Sequence, residues 1–206
     1  MSDTQTGKKA SFLSLILGIY VLVVGVGQPI VFRDRYFDIL STKYYFYWIS
    51  TVIMLALSLI YFFVKRDTAI FNGVIKKKLL LQDYAVLIFI LVAVVSTLTS
   101  DYLYESFWGN EGRLTGLFLL SLYVLSYFFV SRFWIHRYYY IDGILVAGMF
   151  VCLFGITDYF QMDIFHFRKD VLTDQMHIFT STIGNINAYT SVSYTHLRAH
   201  ETAANL

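Results

Sequence analysis

The chain has 206 residues, 57% of them hydrophobic and only 15% charged, with 16 Lys and Arg against 14 Asp and Glu for a formal net charge of +2. Mean hydropathy is +0.59. So few charges do not cover the surface of a soluble domain of this size, and there is no basic patch of the kind that holds nucleic acid.

The apolar residues are clustered in runs close to the roughly 20 residues that a helix needs to cross about 30 Å of hydrocarbon. After a polar N-terminus, 1–10, the first run covers 11–32 without one charge. It exceeds the about 7–15 residues of a signal-peptide core and lacks a small-residue cleavage site, so it is expected to stay as an anchor. The second run, 44–64, is closed by Lys65 and Arg66, and the third, 81–98, includes Asp83 near its start. The fourth and fifth runs cover 114–130 and 141–159. Each must be helical, because a lone strand leaves its backbone polar groups unpaired in lipid. The expected fold is therefore all-α, a polytopic transmembrane bundle of about five spans.

Lys and Arg resist translocation and set orientation. With the N-terminus cytoplasmic, nine basic residues fall inside: Lys8 and Lys9, then Lys65, Arg66 and Lys76 to Lys78, then Arg132 and Arg137. Six fall outside, namely Arg33, Arg35, Lys43, Arg113, Arg168 and Lys169. The expected topology is therefore multi-pass with the N-terminus on the cytoplasmic side. Tyr44, Tyr45, Tyr47 and Trp48, with Trp134 and Tyr138 to Tyr140, have the character of interfacial aromatic belts. Cys152 is the single cysteine, so no intrachain disulfide is expected.

Asn187 to Ser191 resemble the opening of a sixth span, but residues 192–202 turn polar at once. That stretch resembles one translated reading frame of a sequencing adapter. The expectation is a fragment cut near Ser191, with 192–206 a non-biological tail; the alternative is a short natural polar tail. His196, His200 and Glu201, at helical metal-ligand spacing, are therefore set aside.

Ionisable groups are nearly absent inside the spans, which argues against a proton or ion path. Asp83, Asp142 and Asp158 sit near span ends, where water is expected to reach them. Chemistry is expected at a membrane face, in two external loops. The first is Phe107-Trp108-Gly109-Asn110-Glu111-Gly112-Arg113-Leu114-Thr115-Gly116. Its glycines allow backbone shapes closed to other residues, and the planar fork of Arg113 suits a phosphate or pyrophosphate. Snorkelling, or pairing with Glu111, accounts for the same arginine. The second loop, 161–182, leads into Gly184, Asn185 and Asn187. These suit a helix cap or an anion site at a helix start. Arg168 and Lys169 either attract an anion or belong to a solvated loop with Asp163, Asp170 and Asp174. No metal site, nucleotide loop or cofactor is expected.

The order Ser100-x6-Phe107-Trp108-Gly109-x3-Arg113-x2-Gly116, two spans, then Gly184-Asn185-x-Asn187-Ala188 resembles the N-terminal half of the O-antigen ligase and polymerase-like membrane proteins. Ile186 stands where family members often carry Pro. The resemblance covers residues 10 to 191 and implies a glycosyltransferase of the bacterial cell envelope acting on polyprenyl-diphosphate-linked glycan. It also implies roles: Arg113 stabilises the pyrophosphate, while Gly109, Glu111, Gly112, Gly116, Arg168, Lys169, Gly184, Asn185 and Asn187 contribute to the substrate site. Two other classes compete, a transporter or flippase of lipid-linked sugars and a non-catalytic membrane subunit.

Overall fold

The computed structural model describes residues 12–33, 39–65, 78–110, 113–135, 137–160, 162 and 181–183. Among them the chain is all helical, in the order α1 Phe12–Ile30, α2 Ile39–Lys65, α3 Leu81–Leu98, α4 Leu103–Trp108, α5 Leu117–Phe133 and α6 Tyr138–Tyr159, then a 3₁₀ turn at Ser181–Ile183. Each of the five apolar runs is a helix. Four are long and apolar enough to cross a membrane, while α5, with 17 residues, spans about 25 Å at 1.5 Å per residue. The chain is thus a multi-pass helical bundle suited to a bilayer.

Neighbouring pairs fix the direction of each helix. Tyr20 meets Thr51 and Phe12 meets Tyr61, so α2 runs antiparallel to α1. Gly18 faces Tyr140 and Gly25 faces Ile144, so α6 runs parallel to α1. Asp83, at the start of α3, meets Arg132 at the end of α5. One end of the bundle therefore carries Asp83 and Arg132. The other carries α4, the starts of α2 and α5, the end of α6 and the 3₁₀ turn.

α1 is the centre, packing on α2, α5 and α6. It is apolar all round, and its glycines bring the α6 backbone close, as small residues do between helices in lipid. A Cβ on Gly18 would lie 2.7 Å from Cζ of Tyr140, and one on Gly25 would lie 2.8 Å from Cγ1 of Ile144. Pro29 falls in the last turn, and the helix ends at Ile30.

The interior combines an apolar core, with Leu13, Leu17, Met54 and Val151 fully buried, and small hydroxyls. Thr51, Ser58, Ser14 and Ser126 are buried, whereas long apolar side chains of every span face outward. Only 11% of α3 is buried, against 33% of α1, so α3 presents apolar surface nearly all round. Such a surface is stable in hydrocarbon and aggregates in water. The inner hydroxyls are mutually satisfied. Thr51 donates to the carbonyl of Tyr47 (2.8 Å), which leaves its oxygen to accept from Tyr20 (3.0 Å). Ser126 donates to the carbonyl of Tyr123 (2.9 Å) and accepts from the Tyr47 hydroxyl (2.9 Å).

Two expectations about side-chain placement are corrected here. Tyr47 and Tyr140, assigned to interfacial belts, are only 7% and 5% exposed and lie inside the bundle. Tyr45, Tyr138 and Tyr139 are exposed as belts require. Asp83, expected at a watery span end, is 2% exposed. It accepts from the backbone N–H of Leu80 (2.8 Å), from the Tyr127 hydroxyl (2.8 Å) and from Nη2 of Arg132 (2.6 Å). An acid in the first turn of α3 and a base in the last turn of α5 each suit the local helix dipole. Their meeting fixes α3 to the rest of the bundle.

Candidate functional site

The first candidate loop is built from the end of α3. Ser100 Oγ accepts from the backbone N–H of Tyr102 (3.2 Å) and bonds the Ser106 hydroxyl (2.7 Å), which sets the short helix α4. Gly109 ends it, donating its N–H to the carbonyl of Glu105 (2.8 Å) and turning the chain at φ +95°, where a side chain is strained. The carbonyl of Asn110 then accepts from the N–H groups of Arg113 (3.2 Å) and Leu114 (3.0 Å). Leu114 itself has φ +52°, a left-handed position unusual for a leucine.

The two glycines of the motif meet where this loop closes. A Cβ on Gly109 would stand 2.5 Å from the carbonyl carbon of Leu114, and one on Gly116 would collide with the carbonyl oxygen of Phe107 and the nitrogen of Gly109. These are backbone atoms, which cannot swing aside. The spacing Phe107-x-Gly109-x6-Gly116 thus records a backbone crossing. The closed loop rests on aromatic packing, with Trp108 and Phe118 centroids 5.1 Å apart and Trp48 of α2 6.3 Å from Phe118.

The structure brings Gly109, Arg113 and Gly116 into one closed loop directly before α5. Arg113 is exposed and, among the described residues, forms no ion pair. α5 starts at Leu117 with no side-chain cap, so its first N–H groups add positive potential near the arginine. An exposed guanidinium four residues ahead of an uncapped helix start, between two glycines in close backbone contact, suits an anionic group with several oxygens. Glu111, Gly112, Arg168, Lys169, Gly184, Asn185 and Asn187 lie outside the described residues.

Of the second loop, Met162, Ser181 and Thr182 are described, and the turn Ser181–Ile183 is docked inside the bundle. Ser181 and Thr182 are buried. The Ser181 hydroxyl donates to the carbonyl of Val151 in α6 (2.9 Å), and that of Thr182 donates to the carbonyl of Pro29 (2.7 Å), in the last turn of α1. This holds the turn Ser181–Ile183 at the same end of the bundle as the Arg113 loop. A cavity of about 200 Å³ lies beside the turn, lined by Gln28, Pro29 and Lys43 together with Ile144, Val151 and Ile183. Sequence reasoning treated Lys43 only as an orientation charge and passed over Gln28. The available signal was a lone amide in an otherwise apolar run, just ahead of the proline.

Comparison of the chain with protein-family models, with curated proteins and with solved structures gives no match.

Proposed function

We propose that this chain is the N-terminal part of a membrane glycan ligase or polymerase-like glycosyltransferase. In this reading it moves an oligosaccharide from polyprenyl diphosphate to an acceptor at the outer face of a bacterial inner membrane. The observation that carries the reading is the exposed Arg113 on a glycine-locked loop at the start of α5. In the reaction the bond between the sugar's anomeric carbon and the diphosphate oxygen breaks, and the acceptor hydroxyl oxygen takes its place and loses its proton. Negative charge grows on the departing diphosphate. A guanidinium fork held in position stabilises that charge without reorganising. In this reading the backbone contacts of Gly109 and Gly116 supply the positioning, and the apolar helices keep the lipid carrier's head at this level.

Replacing Arg113 with Ala in the full-length protein is expected to lower glycan transfer by about 10²–10³-fold, the usual cost of one charge-stabilising donor. Membrane insertion is expected to stay intact, since the side chain is exposed and buries no contact. Arg113→Lys keeps the charge but loses the fork, and should fall between the two. Transfer assays on lipid-linked oligosaccharide decide it: wild-type rates in Arg113→Ala remove the arginine from the site.

A further inference from the structure

The cavity beside the 3₁₀ turn contains two polar groups left unmatched in an otherwise apolar wall. Nε2 of Gln28 donates to the carbonyl of Lys43 (3.3 Å), and since that carbonyl only accepts, the amide orientation is fixed by its partner. Oε1 of Gln28 therefore points elsewhere, and it is buried with no donor among the described residues. A buried acceptor in this state costs free energy unless a donor reaches it. Lys43 is half-buried, and among the described residues no carboxylate pairs with it. It also sits in the second turn of α2, whose first turn holds no acid, so the ammonium and the positive helix end reinforce each other. A matching occupant has an anionic oxygen for Lys43 and a hydroxyl for Gln28.

Size and walls narrow the class. About 200 Å³ corresponds to roughly seven waters at about 30 Å³ each, enough for a compact headgroup and too small for an oligosaccharide. Pro29, Ile144, Val151 and Ile183 make the rest of the wall apolar. Gln28 and Pro29 lie in the last turn of α1, and Lys43 lies near the start of α2, and the ends of spanning helices are where headgroups are expected. We infer that this cavity binds the phosphoglycerol headgroup of an anionic membrane lipid, with Lys43 on the phosphate and Gln28 Oε1 accepting from a glycerol hydroxyl. The bound lipid ties α1, α2, α6 and the 3₁₀ turn together at this end of the bundle. The inference stands on the cavity alone and does not depend on glycan transfer.

Native mass spectrometry of the purified chain in detergent, titrated with dioleoyl-phosphatidylglycerol or dioleoyl-phosphatidylcholine, tests it. The expected result is tighter retention of phosphatidylglycerol by about tenfold, the worth of a charged hydrogen bond. Lys43→Gln should abolish that preference and leave phosphatidylcholine binding unchanged, Lys43→Arg should keep it, and Gln28→Leu should lower phosphatidylglycerol affinity by about fivefold. Equal affinity of the wild-type chain for both lipids overturns the inference without reference to any variant. So does a Lys43→Gln chain that folds and retains the preference. Displacement of phosphatidylglycerol by millimolar glycerol 3-phosphate would assign the site to a soluble phosphate ester and overturn the lipid source.

Discussion

Replacing Asp83 with Ala is expected to destabilise the bundle by about 3–5 kcal/mol, the cost of breaking a buried ion pair by removing one partner. The carboxylate and guanidinium side chains are 3% and 8% exposed and 2.6 Å apart. The loss also removes the acceptor for the Tyr127 hydroxyl and for the N–H of Leu80 at the start of α3. Since α3 buries little else, this cluster is its main polar tie to α5. Asp83→Asn keeps an acceptor and loses the charge, so it should be milder. The double variant Asp83→Leu with Arg132→Leu should recover most of the loss, because a well-packed apolar pair often replaces a buried ion pair without net cost. Thermal unfolding in detergent measures all three, and wild-type stability in Asp83→Ala contradicts the assigned role.

A methyl group at Gly116 is expected to open the Arg113 loop. The new Cβ would collide with backbone atoms of Phe107 and Gly109, so relief requires the crossing itself to separate. Overpacking of this kind costs about 1–3 kcal/mol. Amide hydrogen exchange across residues 107–116 should then accelerate by about one to two decades in Gly116→Ala, at roughly tenfold per 1.4 kcal/mol. Exchange in the α1 and α6 segments should not change. Wild-type exchange in the loop would mean that the crossing is not what holds it closed.

How much of this was legible in the sequence differs from helix to helix. The run at 81–98 and the helix Leu81–Leu98 share their bounds, the start being fixed by the Asp83 carboxylate, which accepts from the N–H of Leu80. The fourth run, 114–130, is displaced to Leu117–Phe133, since Leu114 takes φ +52° and Gly116 stays extended ahead of the helix. Hydropathy counts Leu114 as apolar and is blind to its backbone. The second helix begins at Ile39, ahead of the run at 44–64, because the hydropathy run stops at the charge of Lys43 whereas the backbone helix continues through it. Which tyrosines face inward was not legible. Spans that are apolar all round carry no amphipathic stripe to set their rotation, so Tyr47 and Tyr45 look alike until Ser126 is placed opposite one of them. The partnership of Asp83 with Arg132, 49 residues apart, likewise needs the antiparallel packing of α3 and α5.

The motif glycines were legible as a pattern, but their physical role was not. Gly109 lies against the backbone of Leu114 and Thr115, and Gly116 against that of Phe107 and Gly109, a relation that spacing alone does not disclose. Gln28 and Lys43 were invisible as a pair because they meet only across the α1 and α2 interface.

In the proposed reading the Arg113 loop and the lipid cavity share the outer face, and the Asp83 and Arg132 cluster lies at the cytoplasmic end. Single-cysteine labelling tests this in intact bacterial cells, with Asn110→Cys and Arg137→Cys introduced separately into a Cys152→Ser chain and probed with a membrane-impermeant maleimide. The expected result is labelling of the Asn110→Cys chain in intact cells and of the Arg137→Cys chain only after permeabilisation. The reverse pattern, or labelling of both in intact cells, contradicts it.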